Sequence, residues 1–240
     1  MKNEEVNGVK VWFDVVDKGG SVLPIGVVFN HACLFGWAGR NKEEVRKHAE
    51  ELAEHGIRGP KNMPEHFLIS PNMITHDPEI VCVGDKTCGE IEFFFFRREG
   101  VIYVGVGSEH TDRALEAVDM IKSKAICHKP MSRQIWKYED VRDHWDGIQL
   151  TAWQVNDEGE KALYQDSPCG CLLKLEELLE RAEELYGRKA LDDIIIWSGT
   201  IPAVKGLVYG SWFGGEMHDK KLGRKLTFEY NVRIVPADSE

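Results

Sequence analysis

The segment EIEFFFFRREGVIYVGVGSEH, residues 90–110, constrains the fold of this chain more than any other stretch. Side chains two residues apart in a strand share a face, so Glu90 and Glu92 point to one side of the strand. Phe93 and Phe95 point to the other side, into a core. Burial of an unpaired carboxylate is costly, so the two glutamates need a positive partner.

The RREG segment at residues 97–100 has the composition of a hairpin turn. Strand pairing around this turn places residues 106–109 opposite the two glutamates, within one or two positions of register. Glu109 then lies beside Glu90, and three carboxylates converge. The sequence predicts a cluster of negative charge at the open end of this hairpin.

Two interpretations of the cluster remain open. Convergent carboxylates repel one another and take up protons unless a cation neutralises them. An all-oxygen site of this kind suits Mg²⁺, Mn²⁺ or Ca²⁺. Alternatively, the glutamates pair with arginines, for which Arg97, Arg98 and Arg113 are the candidates.

Composition excludes several classes of protein. The 240 residues carry a formal net charge of -10, which argues against a protein that binds the phosphate backbone of nucleic acids. The sequence lacks a run of 18 apolar residues, and the segment MKNEEVNGVK lacks the apolar core of a secretory signal. We therefore expect a cytoplasmic protein that does not bind membranes. The six cysteines lack C-x-x-C spacing and are expected to be reduced and mostly buried.

Strands outnumber helices in the pattern and do not alternate regularly with them. Residues 8–30 predict a hairpin that turns at DKGGS. Asn41 and Glu44 have the spacing of a capping box for a charged helix that stops at Gly56. Other helices are expected at TDRALEAVDMIKSK and LLKLEELLERAEELYG, with strands between them. This pattern favours an α+β, β-rich fold with a sandwich or a rolled mixed sheet over a doubly wound parallel one.

Seven segments over roughly residues 35–236 form an ordered series of motifs: GWAGRNKEEVRKHAEEL, PEHFLISPNMI, GEIEFFFF, GVGSEHTDR, KSKAICHKPMS, VNDEGEKALYQDSPCGCLLKLEELL and LDDIIIWSGTIPAV. Taken in this order, they resemble motifs of the fumarylacetoacetate hydrolase family. The resemblance implies a rolled mixed β-sheet core with a few peripheral helices. It also implies a small N-terminal β segment at residues 1–34 that packs on a catalytic domain at residues 35–240.

The same resemblance implies a metal site. Glu90, Glu92 and Glu109 correspond to the ligands of a bound Mg²⁺ or Mn²⁺, which Ca²⁺ could replace in crystals. The third ligand of the family is normally Asp, so Glu109 departs from the motif by one methylene. Asp112 is the alternative third ligand.

Further site residues follow from the resemblance by position. Lys124 corresponds best to the catalytic lysine of the family, and Lys122 corresponds less well. We expect substrate contacts from Arg40 and Asn41, which match the family's GRNY entry motif, and from Gln165 and Thr200, which match its Q-x-G and TGTP motifs. His110 is a candidate by its place directly after Glu109: it could contact substrate or cap the helix that begins near Asp112, and we expect it to line the site.

The helix that follows Asn41 departs from the family pattern. Carbon–carbon hydrolases of the family carry a His–Glu pair here, which activates water. In this chain Val45 stands at the histidine position and His48 at the glutamate position. Glu44 lies one turn before His48 and could orient it as a substitute catalytic dyad. The alternative is a solvated histidine on a charged helix.

Three functions are compatible with these residues. The first is a divalent-metal-dependent hydrolase that cleaves a carbon–carbon bond in a 2-oxo acid or 1,3-dicarbonyl, acylpyruvate-like substrate through a metal-bound enolate. The second is a decarboxylase, hydratase or keto–enol isomerase that uses the same metal site. The third is a non-catalytic binding protein on this fold. By family resemblance we expect a homodimer that binds a small carboxylic acid.

Two other segments are candidates for function. In YEDVRDHWD, His144 and Asp146 could form a site, although a partly exposed turn is the plainer interpretation. The glycine-rich YGSWFGGEMHDKKLG segment suits either a loop over a pocket or a dimer contact.

Overall fold

The structure is a computed structural model that describes residues 8–54, 59–155 and 159–236, with backbone only for residues 47, 48 and 51–54. Its strands are β1 Val9–Val16, β2 Val22–Phe29, β3 His31–Gly36, β4 Glu65–Ile69, β5 Ile74–Thr75, β6 Glu79–Val83, β7 Thr87–Cys88, β8 Ile91–Arg98, β9 Val101–Ser108, β10 Thr111–Asp112, β11 Lys129–Pro130, β12 Gln134–Lys137, β13 Gln149–Val155, β14 Lys161–Pro168, β15 Ile194–Trp197, β16 Trp212–Asp219 and β17 Arg224–Val235.

The α-helices are α1 Lys42–Glu54, α2 Arg113–Glu116, α3 Met120–Ala125 and α4 Leu175–Tyr186. Short 3₁₀ helices lie at Pro71–Met73, Tyr138–Asp140, Arg142–Gly147, Cys169–Cys171 and Arg188–Asp192. Within the described ranges, no helix is both long and apolar enough to cross a membrane.

Two mixed sheets organise the fold. An eight-stranded sheet has the order β2-β1-β12-β9-β8-β15-β3-β4, and a five-stranded sheet has the order β14-β13-β16-β17-β6. Parallel pairs such as β15–β3 and β17–β6 occur among antiparallel ones. The predicted α+β, β-rich fold with a curled mixed sheet is confirmed. The predicted N-terminal hairpin is also confirmed, and β1 joins the large sheet by pairing with β12. The division at residue 34 stays a prediction.

Strand β8 is buried on both faces, which explains its run of four phenylalanines. Phe93 and Phe95 pack in the larger core, which the two sheets share. Phe94 and Phe96 pack on the opposite face in a second core. Continuous apolar runs are typical of strands that are covered on both sides. The even-numbered face therefore buries Phe94 and Phe96 between two charged residues, Glu92 at its first position and Arg98 at its last.

The predicted hairpin turn is confirmed. Glu99 and Gly100 have φ angles of 52° and 79°, as in a two-residue type I′ turn, and Arg98 pairs with Val101. The right-handed twist of this turn matches that of the strands, so it fixes the register of β8 against β9.

The start of α1 agrees with its predicted cap. The Asn41 Oδ1 accepts hydrogen bonds from the backbone N–H groups of Glu43 (3.1 Å) and Glu44 (3.4 Å). The predicted stop at Gly56 lies outside the described residues.

Two predictions about secondary structure were wrong. The segment at residues 111–124 forms two short helices, because Asp112 and Asp119 each cap a new helix by accepting a backbone N–H, from Leu115 and Lys122. The glycine-rich segment contains a full strand, β16, in the five-stranded sheet.

The cysteines behave as predicted. All six are free; only Cys171 is exposed, and the other five are buried. Buried reduced thiols act here as small apolar side chains.

Gly105 provides a test of the packing around β8. A Cβ atom at this position would lie 2.2 Å from Cζ of Phe94, whose ring fills the space above the glycine. We predict that Gly105→Ala lowers the free energy of unfolding by about 1–3 kcal/mol, measured by urea denaturation. Gly147→Ala is the matched control, since a Cβ there meets no atom within 4 Å. Equal effects of the two substitutions would contradict the packing of Phe94 against β9.

Candidate active site

The β8–β9 hairpin brings the predicted carboxylates together. Glu92 pairs with Gly107 across the strands, and the backbone N–H of Glu109 donates to the carbonyl of Glu90 at 2.9 Å. The predicted register, with Glu109 beside Glu90, is therefore confirmed. Strand β8 begins here and β9 ends here, so the three side chains lie together at one end of these two central strands.

Protein cations hold two of the three carboxylates. The Lys124 Nζ donates to Glu109 Oε1 at 2.7 Å, and both side chains are buried. The Arg113 Nη2 forms an ion pair with Glu90 Oε1 at 3.1 Å. The interpretation with an arginine partner is confirmed for Glu90, whereas Arg97 and Arg98 pair with other carboxylates.

Glu92 is less well compensated. Its side chain is fully buried, and its Oε2 accepts a hydrogen bond from the backbone N–H of Gly199 at 3.0 Å. Its Oε1 is buried without a hydrogen-bond partner among the described residues. Burial, and then repulsion by Glu109 and Glu90, raises the pKa of Glu92 well above its usual value. An additional cation next to this oxygen would remove the deficit.

The surroundings raise the pKa of both Glu90 and Lys124, which favours the protonated form of each group. Burial raises the pKa of Glu90 despite the opposing effects of Arg113 and Lys124. Burial lowers the pKa of Lys124, but the carboxylates of Glu109, Glu116 and Glu90 outweigh it and the net shift is upward. Lys124 is therefore an ammonium group, a donor of hydrogen bonds and positive charge.

Glu116 belongs to the same network and was not predicted. Its carboxylate lies 2.8 Å from an Arg113 Nη1 and 3.7 Å from the Lys124 Nζ. Burial raises its pKa, but the two cations outweigh burial, and the pKa of Glu116 is lowered overall. The i,i+3 spacing from Arg113 was the one signal in the sequence.

Gln165 and Thr200 hold the backbone between Glu90 and Glu92, at the start of β8. The Gln165 Oε1 accepts from the Ile91 N–H at 2.8 Å, and the Gln165 Nε2 donates to Thr200 Oγ1 at 2.8 Å. The Thr200 hydroxyl donates to the Ile91 carbonyl at 2.9 Å. These bonds fix the backbone that carries Glu90 and Glu92. A substrate contact from either side chain stays a prediction.

His110 lies behind the carboxylates. Its ring is buried, and its Nδ1 lies 2.9 Å from the Tyr230 hydroxyl. That hydroxyl also bonds Ser108 Oγ, which accepts from the backbone N–H of Glu90 at 3.2 Å. Burial lowers the pKa of His110. In this arrangement His110 supports the strand ends from the core, and its predicted substrate contact stays a prediction.

Arg40 and Asn41, the residues that match the family's entry motif, form hydrogen bonds within the protein. Both Arg40 Nη atoms bond Asp146, at 2.7 and 2.9 Å, and its Nε donates to the Leu172 carbonyl. Asn41 caps α1 as described above. Glu44 is exposed, and the side chain of His48 lies outside the described residues, so the predicted dyad stays a prediction.

Two alternatives from the sequence have other roles. Asp146 does not pair with His144, because His144 Nε2 bonds the buried Asp219 at 3.0 Å. Asp112 caps α2 through its Oδ1, which makes it a poorer third ligand than Glu109.

The three glutamates offer the type of ligand atom that a hard divalent cation prefers. Glu90, Glu92 and Glu109 supply only oxygen atoms, and the Oε1 of Glu92 lacks a partner within the described chain. In the present arrangement no three acidic, His or Cys side chains of the described residues stand at metal-ligand spacing. Metal binding would require Glu109 or Glu90 to exchange part of its ion pair for the cation.

A comparison with family models identifies the family of this chain. Residues 35–230 match the model described as "Protein of unknown function (DUF2848)". The chain belongs to this family. A search of curated protein sequences gave no match.

Solved structures share the fold of this family member. A structure titled "Crystal structure of Cg1458 with inhibitor" aligns with a TM-score of 0.61 and 18% identity, covering 98% of this chain and 93% of that one. A second, "Hexagonal kristal form of 2-keto-3-deoxyarabinonate dehydratase", aligns with a TM-score of 0.61 and 17% identity, covering 86% and 75%. At this identity the likeness establishes the fold alone.

Arg113 provides a test of the charge network. Its side chain is 7% exposed and lies between the carboxylates of Glu90 and Glu116. We predict that Arg113→Met lowers the free energy of unfolding by about 3–5 kcal/mol at pH 7, because two buried carboxylates lose their partner. Urea denaturation measures the change.

Arg181→Met is the matched control. Arg181 also pairs with a glutamate three residues later, but both side chains are solvent-accessible, at 39% and 66%. Its loss should cost about 0–1 kcal/mol. A loss of stability in Arg113→Met no larger than in this control would contradict the buried network.

Proposed function

We propose that this chain is an enzyme of the fumarylacetoacetate hydrolase superfamily that acts on a 2-oxo acid by stabilising its enolate. Three observations support the proposal. The seven motifs stand in order over residues 35–236, the curled mixed sheet resembles that of a solved 2-keto acid dehydratase, and the carboxylates lie beside a buried lysine.

The buried carboxylate of Glu92 carries the proposal. It is fully buried with one oxygen unpartnered among the described residues, next to two further carboxylates. A fold rarely retains such a cost without a use for it. Glu90, Glu92 and Glu109 would hold Mg²⁺ or Mn²⁺, which, when bound, supplies Lewis acidity toward the oxygen atoms of a 2-oxo acid.

Lys124 has a defined role in this chemistry. Its raised pKa keeps it protonated, so it does not act as a general base. Its ammonium group would donate a hydrogen bond to the oxygen on which negative charge develops as the enolate forms. Glu109 and Glu116 orient the ammonium group through contacts of 2.7 and 3.7 Å.

The helix α1 favours elimination or isomerisation over hydrolysis. Val45 replaces the family histidine, and its Cγ2 packs so close to Gly39 that a Cβ atom on that glycine would lie only 2.6 Å from it. In a dehydration, a proton leaves carbon 3, and the hydroxyl group on carbon 4 departs as water. Neither this reaction nor decarboxylation or tautomerisation requires an activated water molecule. Carbon–carbon hydrolysis, with Glu44 and His48 as the activating pair, is the second candidate.

Metal binding is the first test. Calorimetry with Mn²⁺ and Mg²⁺ should detect binding to the wild type and none to Glu92→Gln, which keeps the shape of the side chain but loses its charge. Glu79→Gln is the matched control, because Glu79 lies on β6 in an exposed pair with Arg233. Failure of the wild type to bind either ion would overturn the metal-enolate mechanism.

The reaction is tested with Mn²⁺ present and 3-deoxy-2-oxo sugar acids or acylpyruvates as substrates. Proton NMR distinguishes one dehydrated product from the two fragments of hydrolysis. Lys124→Met should slow either reaction by about 10²–10³-fold. Glu44→Gln should slow only hydrolysis, by about 10²–10⁴-fold. Turnover of Lys124→Met at the wild-type rate would show that this lysine does not act on the developing charge.

A further inference from the structure

Lys129 is a second buried lysine near the carboxylates; it lies in the KSKAICHKPMS segment, but neither the resemblance nor the proposed reaction gives it a role. Its side chain is fully buried at the start of β11. Burial lowers its pKa to about 8, so the ammonium form predominates at pH 7. A buried charge of this kind must be compensated.

Three backbone carbonyls compensate the Lys129 ammonium group. Its Nζ donates to the carbonyl of His110 at 2.7 Å, to that of Cys127 at 2.8 Å, and to that of Lys124. An ammonium group has three N–H donors, so these bonds saturate it. All three N–H groups of Lys129 therefore bond the protein, and none is left to bond a substrate.

These carbonyls belong to the segments that carry the site. His110 directly follows Glu109, Lys124 is the lysine that Glu109 holds, and Cys127 lies just beyond the end of α3. The last carbonyls of a helix lack intrahelical partners and favour a positive charge. The single ammonium group of Lys129 thus ties the end of α3 to His110, the second residue after β9.

We propose that Lys129 is a positioning residue that holds Lys124 against Glu109. The inference rests on the proposed role of Lys124 in binding a 2-oxo acid. Lys129 acts through the main chain: it fixes where α3 ends relative to Glu109, so that the Lys124 Nζ stays 2.7 Å from Glu109 Oε1.

A double-mutant cycle at pH 7 tests this role. Calorimetry with Mn²⁺ and oxalate, a small dianion that resembles the enolate of a 2-oxo acid, is applied to Lys129→Met, Lys124→Met and the double variant. We expect each single substitution to weaken oxalate binding by about tenfold or more. We expect the double variant to bind no more weakly than Lys124→Met, because Lys129 acts only through Lys124.

Two outcomes of the cycle would overturn the proposal. Additive losses would mean that Lys129 attracts the anion by its own charge. Unchanged binding by Lys129→Met would mean that Lys124 needs no such support. Lys122→Met is the matched control on the same helix, since its side chain is 74% exposed and pairs with Asp119. It should bind oxalate as the wild type does.

A second readout needs neither metal nor oxalate. Crystal structures of the wild type and Lys129→Met should show that the distance between Lys124 Nζ and Glu109 Oε1 increases from 2.7 Å beyond hydrogen-bond range. A retained bond would overturn the proposal. If the wild type binds neither Mn²⁺ nor oxalate, the proposed function fails, while this distance still decides the role of Lys129.

Lys129→Gln covers the case in which Lys129→Met does not fold. The amide keeps two N–H donors but removes the charge. We expect a smaller loss of oxalate binding than in Lys124→Met, and no further loss when the two are combined. A further loss in the combined variant would again assign Lys129 an independent effect and overturn the proposal.

Discussion

The compensation of buried charge is the constraint on which the rest of this structure depends. Glu90 and Glu92 flank the first residue of a strand that is apolar on both faces, and neither carboxylate can reach bulk water freely. Their compensation comes from one short segment, because Arg113 and Lys124 follow β9 within sixteen residues. Three features place Arg113 and Lys124 against the carboxylates. They are the hairpin register, the two short helices and the hydrogen bonds of Lys129.

The predictable part of the fold is the part that local sequence determines. The RREG turn and the alternation along β8 and β9 were sufficient to predict their pairing, since a two-residue turn fixes the register between its own strands. Strand β16 was missed because its glycines, which suggest a loop in sequence, allow close packing instead. A Cβ on Gly215 would lie 2.7 Å from Ile91, a contact between residues 124 positions apart.

The contacts of the candidate site also fall into two groups, those that local sequence predicts and those that it does not. The convergence of the carboxylates was predictable from strand pairing, and Lys124 was named from the resemblance, but its contact with Glu109 was not predicted. Glu116 and Lys129 were not, because their partners become neighbours only when α2 and α3 fold back over the strand ends. Lys129 is the harder case: its partners are backbone carbonyls, which have no signature in the sequence. The contact of the His110 ring with Tyr230, which lies 120 residues later in the chain, likewise has no signal in the local sequence.

Under the proposed function, the charge balance gives a physical reason why the site would need a divalent cation before it accepts an acid. When ionised, Glu90, Glu92, Glu109 and Glu116 carry four negative charges, and Arg113, Lys124 and Lys129 carry three positive ones. This excess of negative charge repels a carboxylate substrate at close range. Two further positive charges reverse the sign of the site. In the proposed function, the unpartnered oxygen of Glu92 would couple cation binding to acid binding: a bound cation would favour the ionised form of this carboxylate, whose pKa is otherwise raised, and would itself attract the anion.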